Sequence, residues 1–483
     1  MSEKLSRPDM IQRVKEIATT FKDLEDKDIA TIIKNAYDTS NITNIELVNL
    51  ISNIKTSIKN LTDPLYVTDM LDVVSSTIKD FDYSKWKQGK KLGEGSYGVV
   101  KIAEMGDEKI AFKNIKEYKI SSDLIKEIGS YAILTAIGSQ NTSKLVGFNL
   151  ESQNFGIATE LATMDLFTWV DQTDITTMKN MLPTIVDNLL KSLGEIQSVG
   201  IVNCDIKPAN MLLTVQGVTV LKTVITDFGM ASSFPGNGPF LYTEPFRAPE
   251  IWEGGLATFS SDCWAFGHSI LSLCLGGEYY YRDSSEFTKK AKLPNTEMTR
   301  QLTIFLRDDQ VELINKMLSW ESDNRCIKRV TTKVPTRNWN LPENSVITTK
   351  MLGILFSWLA ILCEMNEYQN HTLSMAIDIV FRFYNNYPVE KYSKNTFQLI
   401  GLSALYISSL WGESDPSNIT EFERYSVIDI NEMIFTILKT INGLLWVPGL
   451  PQLQGEWKDL IKLLKETEDY NSLTSNTNSQ IAN

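Results

Sequence analysis

Histidine is nearly absent: His268 and His371 are the only two in 483 residues, which excludes a histidine-rich metal site. Cysteine is almost as scarce. The five (Cys204, Cys263, Cys274, Cys326 and Cys363) are odd in number and scattered, with no C-x-x-C pair. That distribution argues against a disulfide framework or a zinc site and fits a reducing compartment. Positive charge is in deficit, with 47 Lys and Arg against 59 Asp and Glu and a net charge of −12. Nucleic acid and anionic membranes both reward a basic surface, so neither is expected as the main partner. Long apolar runs are missing too. The most apolar stretch, "MLGILFSWLAILC" (351–363), is too short to span a bilayer. The start, "MSEKLSRPDM", lacks the apolar core of a signal peptide. The expectation is an intracellular protein, cytoplasmic or nuclear.

What is present is ordinary for a globular chain: 43% hydrophobic and 22% charged residues, with a length that predicts two or three domains. Residues 1–83 read as helices, because Ile11, Val14, Ile17 and Phe21 share one face and Val48, Ile51, Ile54 and Ile58 another. They predict either a small bundle packed on its neighbour or a partner-binding module. Residues 84–329 begin as short strands around glycines and read as helices from about 175. The polar stretch 330–347, with Pro335 and Pro342, reads as a linker. Residues 348–467 read as helical, and 468–483 as a polar, disordered tail.

Phosphate-handling signals occur in order along 84–329. "KLGEGSYGVVKIAE" (91–104) places Gly93, Gly95 and Gly98 where a strand-turn-strand backbone can close over phosphates without side-chain clash. "IAFKN" (110–114) offers Lys113 as a cation for the α- and β-phosphates, and the following helical stretch sets Glu127 where it can pair with that lysine. "IVNCDIKPANMLL" (201–213) carries Asp205, Lys207 and Asn210 at the spacing D-x-K-x-x-N that a phosphotransferase needs. Asp227-Phe228-Gly229 and then "FRAPEIW" (246–252) complete the series.

Together these motifs resemble the eukaryotic-type protein kinases over about residues 84–330, which implies an α+β bilobal kinase fold. The resemblance implies ATP and Mg²⁺ as cofactors. Asp205 would orient the substrate hydroxyl, Lys207 would steady the γ-phosphate, and Lys113 and Glu127 would form the phosphate-holding pair. Asn210 and Asp227 would bind the metal, a hard cation that prefers oxygen. Leu92, Val100, Ala111 and Leu212 would sandwich adenine, Glu160 and Ala162 would supply backbone bonds, and Asp165 would lie near the ribose. Glu250 and Arg325 resemble the pair that anchors the activation segment, and Asp262 the residue that braces the catalytic loop. Lys207 with Thr243 matches the serine/threonine pattern. Leu241 and Tyr242 differ from the small pair that shapes a proline pocket in cyclin-dependent kinases.

The sequence departs from the family at Asn203 and Cys204, where His-Arg is usual. That arginine commonly gathers the phosphate of a phosphorylated activation segment. Ser232 replaces a second such cation and Lys126 remains at the site of a third. Activity without activation-segment phosphorylation is therefore expected, and a pseudokinase scaffold is the alternative. Ser96 and Tyr97 stand where cyclin-dependent kinases carry inhibitory phosphosites.

Residues 345–450 resemble a cyclin box, through Trp358-Leu359, "TLSMAIDIVFRF" and "QLIGLSAL". The resemblance implies a C-terminal all-α cyclin-like domain that acts in cis or in a dimer as activator or recruiter of protein substrate. "SSDLIKE" (121–127) is similar to the kinase helix that a cyclin grips. Met351, Ile354, Leu355, Trp358 and Gln398 match a substrate-docking patch. Leu352 and Phe381 replace an arginine–aspartate pair. Leu410 replaces a lysine that contacts the kinase helix, while Glu432 keeps an acidic partner. A short linker would offset that loss by an effective concentration on the order of mM.

Overall fold

A computed structural model describes residues 67–78, 82–95, 98–151, 154–233, 242–276, 296–325, 346–388, 396–413, 416 and 425–445. All of them belong to one compact unit spanning Val67–Thr332 and Arg337–Asn483. Most of the 1–83 region, Ser96, Tyr97, Leu241, most of the 330–347 linker, the end of the 348–467 region and the 468–483 tail lie outside the described residues.

Helix α1 (Val67–Thr77) comes first. Strands β1 (Lys87–Glu94), β2 (Gly98–Met105) and β3 (Glu108–Ile115) then form consecutive antiparallel hairpins. In β3 the period of two buries Ile110 and Phe112 and points Ala111 and Lys113 to the other face. Tyr83 stacks on Phe112 at 3.9 Å, so the core of this lobe begins before the first strand. Helix α2 (Ser122–Ala136) follows, its N-terminus capped by the Ser121 hydroxyl accepting from the Leu124 amide. Strands β4 (Leu145–Asn149) and β5 (Gly156–Glu160) complete a five-stranded sheet of order β1-β2-β3-β5-β4.

The second lobe is mainly helical. It contains α3 (Leu166–Gln172), α4 (Ile175–Ser198), α5 (Phe259–Cys274), α6 (Thr296–Phe305) and α7 (Asp308–Met317). The reading of helices from 175 onward is corrected at two places: Ile201–Val202 pairs antiparallel with Ser232–Ser233, and β6 (Met211–Gln216) and β7 (Thr219–Ile225) form a hairpin, turning at Gly217 with φ +60. The strands carry apolar residues in runs, Met211-Leu212-Leu213 and Val224-Ile225, which do not by themselves separate a strand from a buried helix. Helix α5 is buried all round and is the spine of the lobe.

The last region holds α8 (Thr349–Met365), α9 (Asn370–Asn386), α10 (Phe397–Gly412) and α11 (Val427–Thr440). Helix α10 is apolar on every side and packs against α8, α9 and α11, which makes it the central helix. Leu352 and Phe381, the replacements for a charged pair, are both buried. A different ion pair takes their place in the core: Arg382 donates to Asp378 at 2.7 Å and to the Leu445 carbonyl at 2.9 Å. An Arg382→Met chain is expected to lose about 3–5 kcal/mol, because the buried Asp378 carboxylate would lose the guanidinium charge that offsets its own. Adding Asp378→Asn should restore much of the loss; equal denaturation midpoints for the single and double variants would contradict this account.

Helix α2 is almost wholly buried because neighbours cover every face. Helix α1 packs on one side, and α10 with the turn at residues 441–445 packs on another. The Ser122 hydroxyl donates to the Leu410 carbonyl at 2.5 Å. A Cβ at Gly129 would lie 2.6 Å from the Trp411 ring and 3.3 Å from Leu445 Cβ, so the bare backbone is what lets these elements touch. Gly443, at φ +71, closes similarly on Ile128. Among the described residues no helix is long and apolar enough to cross a membrane.

Candidate active site

Between the lobes lies a cavity of about 560 Å³, within the usual range for a small-molecule site. Leu92, Gly93, Val100, Ala111, Lys113, Glu127, Glu160, Ala162, Asp165, Asn210, Leu212 and Asp227 line it. Gly95 and Gly98 do not; the Gly95 amide donates to the Gly98 carbonyl at 2.9 Å and closes the hairpin turn beside it. The Glu160 amide donates to the Lys144 carbonyl, which leaves the carbonyl of Glu160 as its backbone group for a nucleobase. Asp165 caps α3, accepting from the Thr168 amide and hydroxyl at 2.8 and 2.7 Å while its side chain borders the cavity.

Three elements bring the charged groups together. Lys113 on β3 donates to Glu127 on α2 at 2.8 Å and to Asp227 at 3.1 Å. Burial opposes the ammonium charge, yet the two carboxylates outweigh it and raise the lysine's pKa, so it stays protonated. Burial likewise raises the pKa of Asp123 one turn before Glu127. Three carboxylates around one lysine leave an excess of negative charge that a divalent cation would relieve.

The catalytic loop is held from several sides. Asp205 accepts from Lys207 at 2.7 Å, from the Thr243 hydroxyl at 2.7 Å and from the Asn210 amide at 2.8 Å. Asn210 thereby commits its NH₂ to Asp205 and leaves its oxygen to serve a cation. With Asp227 this gives two oxygen donors, the number Mg²⁺ takes from protein when phosphates supply the rest, so the residues fit the metal. Asp227 has φ 62, a left-handed conformation unusual for a residue with a side chain. The Asn203 amide donates to the Asp227 carbonyl at 3.2 Å and its oxygen accepts from the Asp205 amide at 3.0 Å, so asparagine links the two aspartates.

Cys204 is fully buried, and burial raises its thiol pKa. Lys126 is buried beside it, with its own pKa lowered chiefly by burial. Ser232 is buried as well. Glu250 accepts from Arg325 at 2.8 Å, and Arg325 also donates to the Ser319 and Trp320 carbonyls. Of the residues expected to form a docking patch, Met351, Ile354, Trp358 and Gln398 are half-buried and Leu355 is buried, while Glu432 is exposed.

The motif reading missed Tyr131. Its hydroxyl lies 2.8 Å from the Thr226 hydroxyl and accepts from the Asp227 amide at 3.2 Å, while its ring meets Phe228 edge-on at 5.0 Å. It follows Glu127 by four residues and so shares its helix face, which was the available signal.

Comparison with known proteins agrees with this geometry. The family model for the protein kinase domain matches residues 86–335, and that for the cyclin N-terminal domain matches residues 325–445. Mitogen-activated protein kinase kinase kinase 17 of Arabidopsis thaliana is 26% identical over 258 residues, covering 50% of this chain and 66% of the relative. A probable dual specificity protein kinase YAK1 homolog of Encephalitozoon cuniculi is 28% identical, over 39% of this chain and 46% of its own. Cyclin-dependent kinase 20 of Pongo abelii is also 28% identical, over 39% and 54%. The chain thus spans less than two thirds of the length of these relatives. The protein kinase match covers more than half of the residues, a range that contains Lys113, Asp205 and Asp227, so the chain belongs to the protein kinase family and carries a region matching the cyclin N-terminal domain behind its kinase domain.

Proposed function

We propose that the protein is an intracellular, ATP-dependent serine/threonine kinase whose cyclin-like region acts in cis to hold α2 in the position catalysis needs. The observation that carries this reading is the 2.8 Å Lys113–Glu127 pair, formed on a helix whose other faces are clasped by α10 and the 441–445 turn. Phosphoryl transfer is accelerated mainly by positioning and charge neutralisation, and both requirements map onto residues already in contact.

In this reading Lys113 binds the α- and β-phosphates and Glu127 keeps Lys113 from swinging away. Asn210 and Asp227 hold Mg²⁺, whose charge offsets that of the phosphates. Leu92, Val100, Ala111 and Leu212 enclose the adenine, with Glu160 and Ala162 supplying backbone bonds and Asp165 bordering the ribose. Gly93, Gly95 and Gly98 keep the turn over the phosphates free of side chains. Asp205 orients the acceptor hydroxyl, and Lys207 crosses from Asp205 toward the transferred group. Thr243, hydrogen-bonded to both Asp205 and Lys207, supports a serine or threonine acceptor.

The experiment is transfer from radiolabelled ATP to a generic Ser/Thr protein substrate by the full chain. Turnover that vanishes when Mg²⁺ is chelated and returns on its addition is the expected result. ATP bound with Mg²⁺ but never transferred would instead make the chain a pseudokinase scaffold, with Asn203 and Cys204 marking lost chemistry.

A further inference from the structure

Tyr242 carries none of the roles assigned above, yet it is only 1% exposed and is held at both ends. Its carbonyl accepts from Arg247 Nε at 2.7 Å, and its hydroxyl donates to Asp262 Oδ1 at 2.8 Å. The same carboxylate accepts the backbone amides of Asn203 at 2.7 Å and Cys204 at 3.1 Å. Cys204 has φ 64, a left-handed conformation that a residue with a side chain holds only where its surroundings over-determine it. The small thiol lies against the phenol and leaves room for its ring.

The next residue on each strand of this contact completes the pattern. Thr243, adjacent to Tyr242, donates to Asp205, adjacent to Cys204, at 2.7 Å. Two neighbouring residues of the activation segment therefore grip two neighbouring residues of the catalytic loop. One grip is direct and the other passes through the buried carboxylate of Asp262. Lys207 donates to both partners of the direct grip, at 2.7 Å to Asp205 and 3.1 Å to Thr243, whereas the grip through Asp262 is made by neutral donors.

We propose that Tyr242 is a positioning residue: its phenol, bound to Asp262, locks the activation segment to the catalytic loop and sets Asp205 without a phosphate. The proposal rests on the kinase reading. Physically, the fully buried Asp262 needs donors, and the phenol is the one that reaches it from the activation-segment side. Losing it would leave the carboxylate with the two amides and free the segment to shift, so the strained backbone at Cys204 could relax and carry Asp205 out of place.

Tyr242→Phe in the full chain keeps the ring and removes the hydroxyl alone. We expect kcat to fall by about tenfold or more, the scale of one hydrogen bond to a buried charge. KM for ATP and the stabilisation of the fold by Mg·ATP should not change, since the cavity does not include Tyr242. Wild-type protein treated with phosphatase, and shown by intact mass to be free of phosphate, should keep its full kcat. Wild-type turnover in Tyr242→Phe, or collapse of wild-type turnover on dephosphorylation, would overturn the proposal.

Should Tyr242→Phe not fold, hydrogen exchange on unphosphorylated wild type decides the matter. The Asn203 and Cys204 amides should exchange no faster than those of α5. Fast exchange at both, with α5 still protected, would refute the lock. A wild-type chain that transfers no phosphate fails the kinase reading instead, and the exchange measurement still tests the lock.

Discussion

An Asp227→Asn chain is expected to bind ATP as the wild type does in the absence of Mg²⁺, yet to transfer its terminal phosphate more slowly by at least about 10²–10³-fold. Asp227 combines three features. Its carboxylate lies 3.1 Å from Lys113, its backbone has φ 62, and its amide and carbonyl are held by Tyr131 and Asn203. The backbone bonds survive the substitution, so the side chain stays in place and loses charge alone. A neutral amide cannot offset the charge of a divalent cation, and the phosphates would then rely on Lys113. Steady-state transfer to a Ser/Thr substrate, with ATP binding measured by calorimetry without metal, separates the two effects. Undiminished transfer would remove Asp227 from the metal site.

The second large effect concerns the contact between α10 and α2. Trp411→Ala should destabilise the fold by about 3–5 kcal/mol, the cost of emptying a buried tryptophan site, and lower phosphotransfer by about tenfold or more by removing the packing on α2. Trp411 is 1% exposed and its ring sits where a Cβ on Gly129 would collide at 2.6 Å. Because Trp411 also packs within its own domain, Gly129→Ala is the cleaner partner experiment. Alanine favours a helix over glycine by about 1 kcal/mol, so α2 itself should not weaken. The added methyl instead wedges α2 away from Trp411 and Leu445. Both variants should bind ATP, and hydrogen exchange should report loss of protection in α2. If both transfer phosphate at the wild-type rate, the cyclin-like region only recruits substrate.

Much of the site was legible because kinase chemistry is written in short segments. The Asp205–Lys207–Asn210 spacing and the Asp227-Phe228-Gly229 triplet each depend on backbone geometry within one loop, so residue type and order suffice to recognise them. The sheet lobe was legible for the same reason. The β6–β7 hairpin was not, since its apolar residues also suit a buried helix. Tyr131 escaped notice because its function lies in one hydroxyl reaching the backbone of Asp227, 96 residues away.

What the residues determined on their own is therefore the class of chemistry and the candidate parts for it, because motifs act through local backbone geometry. Tertiary structure decided which parts meet. Lys113 finds Glu127 across 14 residues within the sheet lobe and Asp227 across 114, and the second distance closes only when the two lobes assemble. The contact at Leu410 shows the reason most clearly. The lysine expected there is missing, and the side chain alone suggested a weakened interface. The structure makes the contact through the Leu410 carbonyl, accepting from Ser122. Every residue carries that carbonyl, so no residue type could announce it.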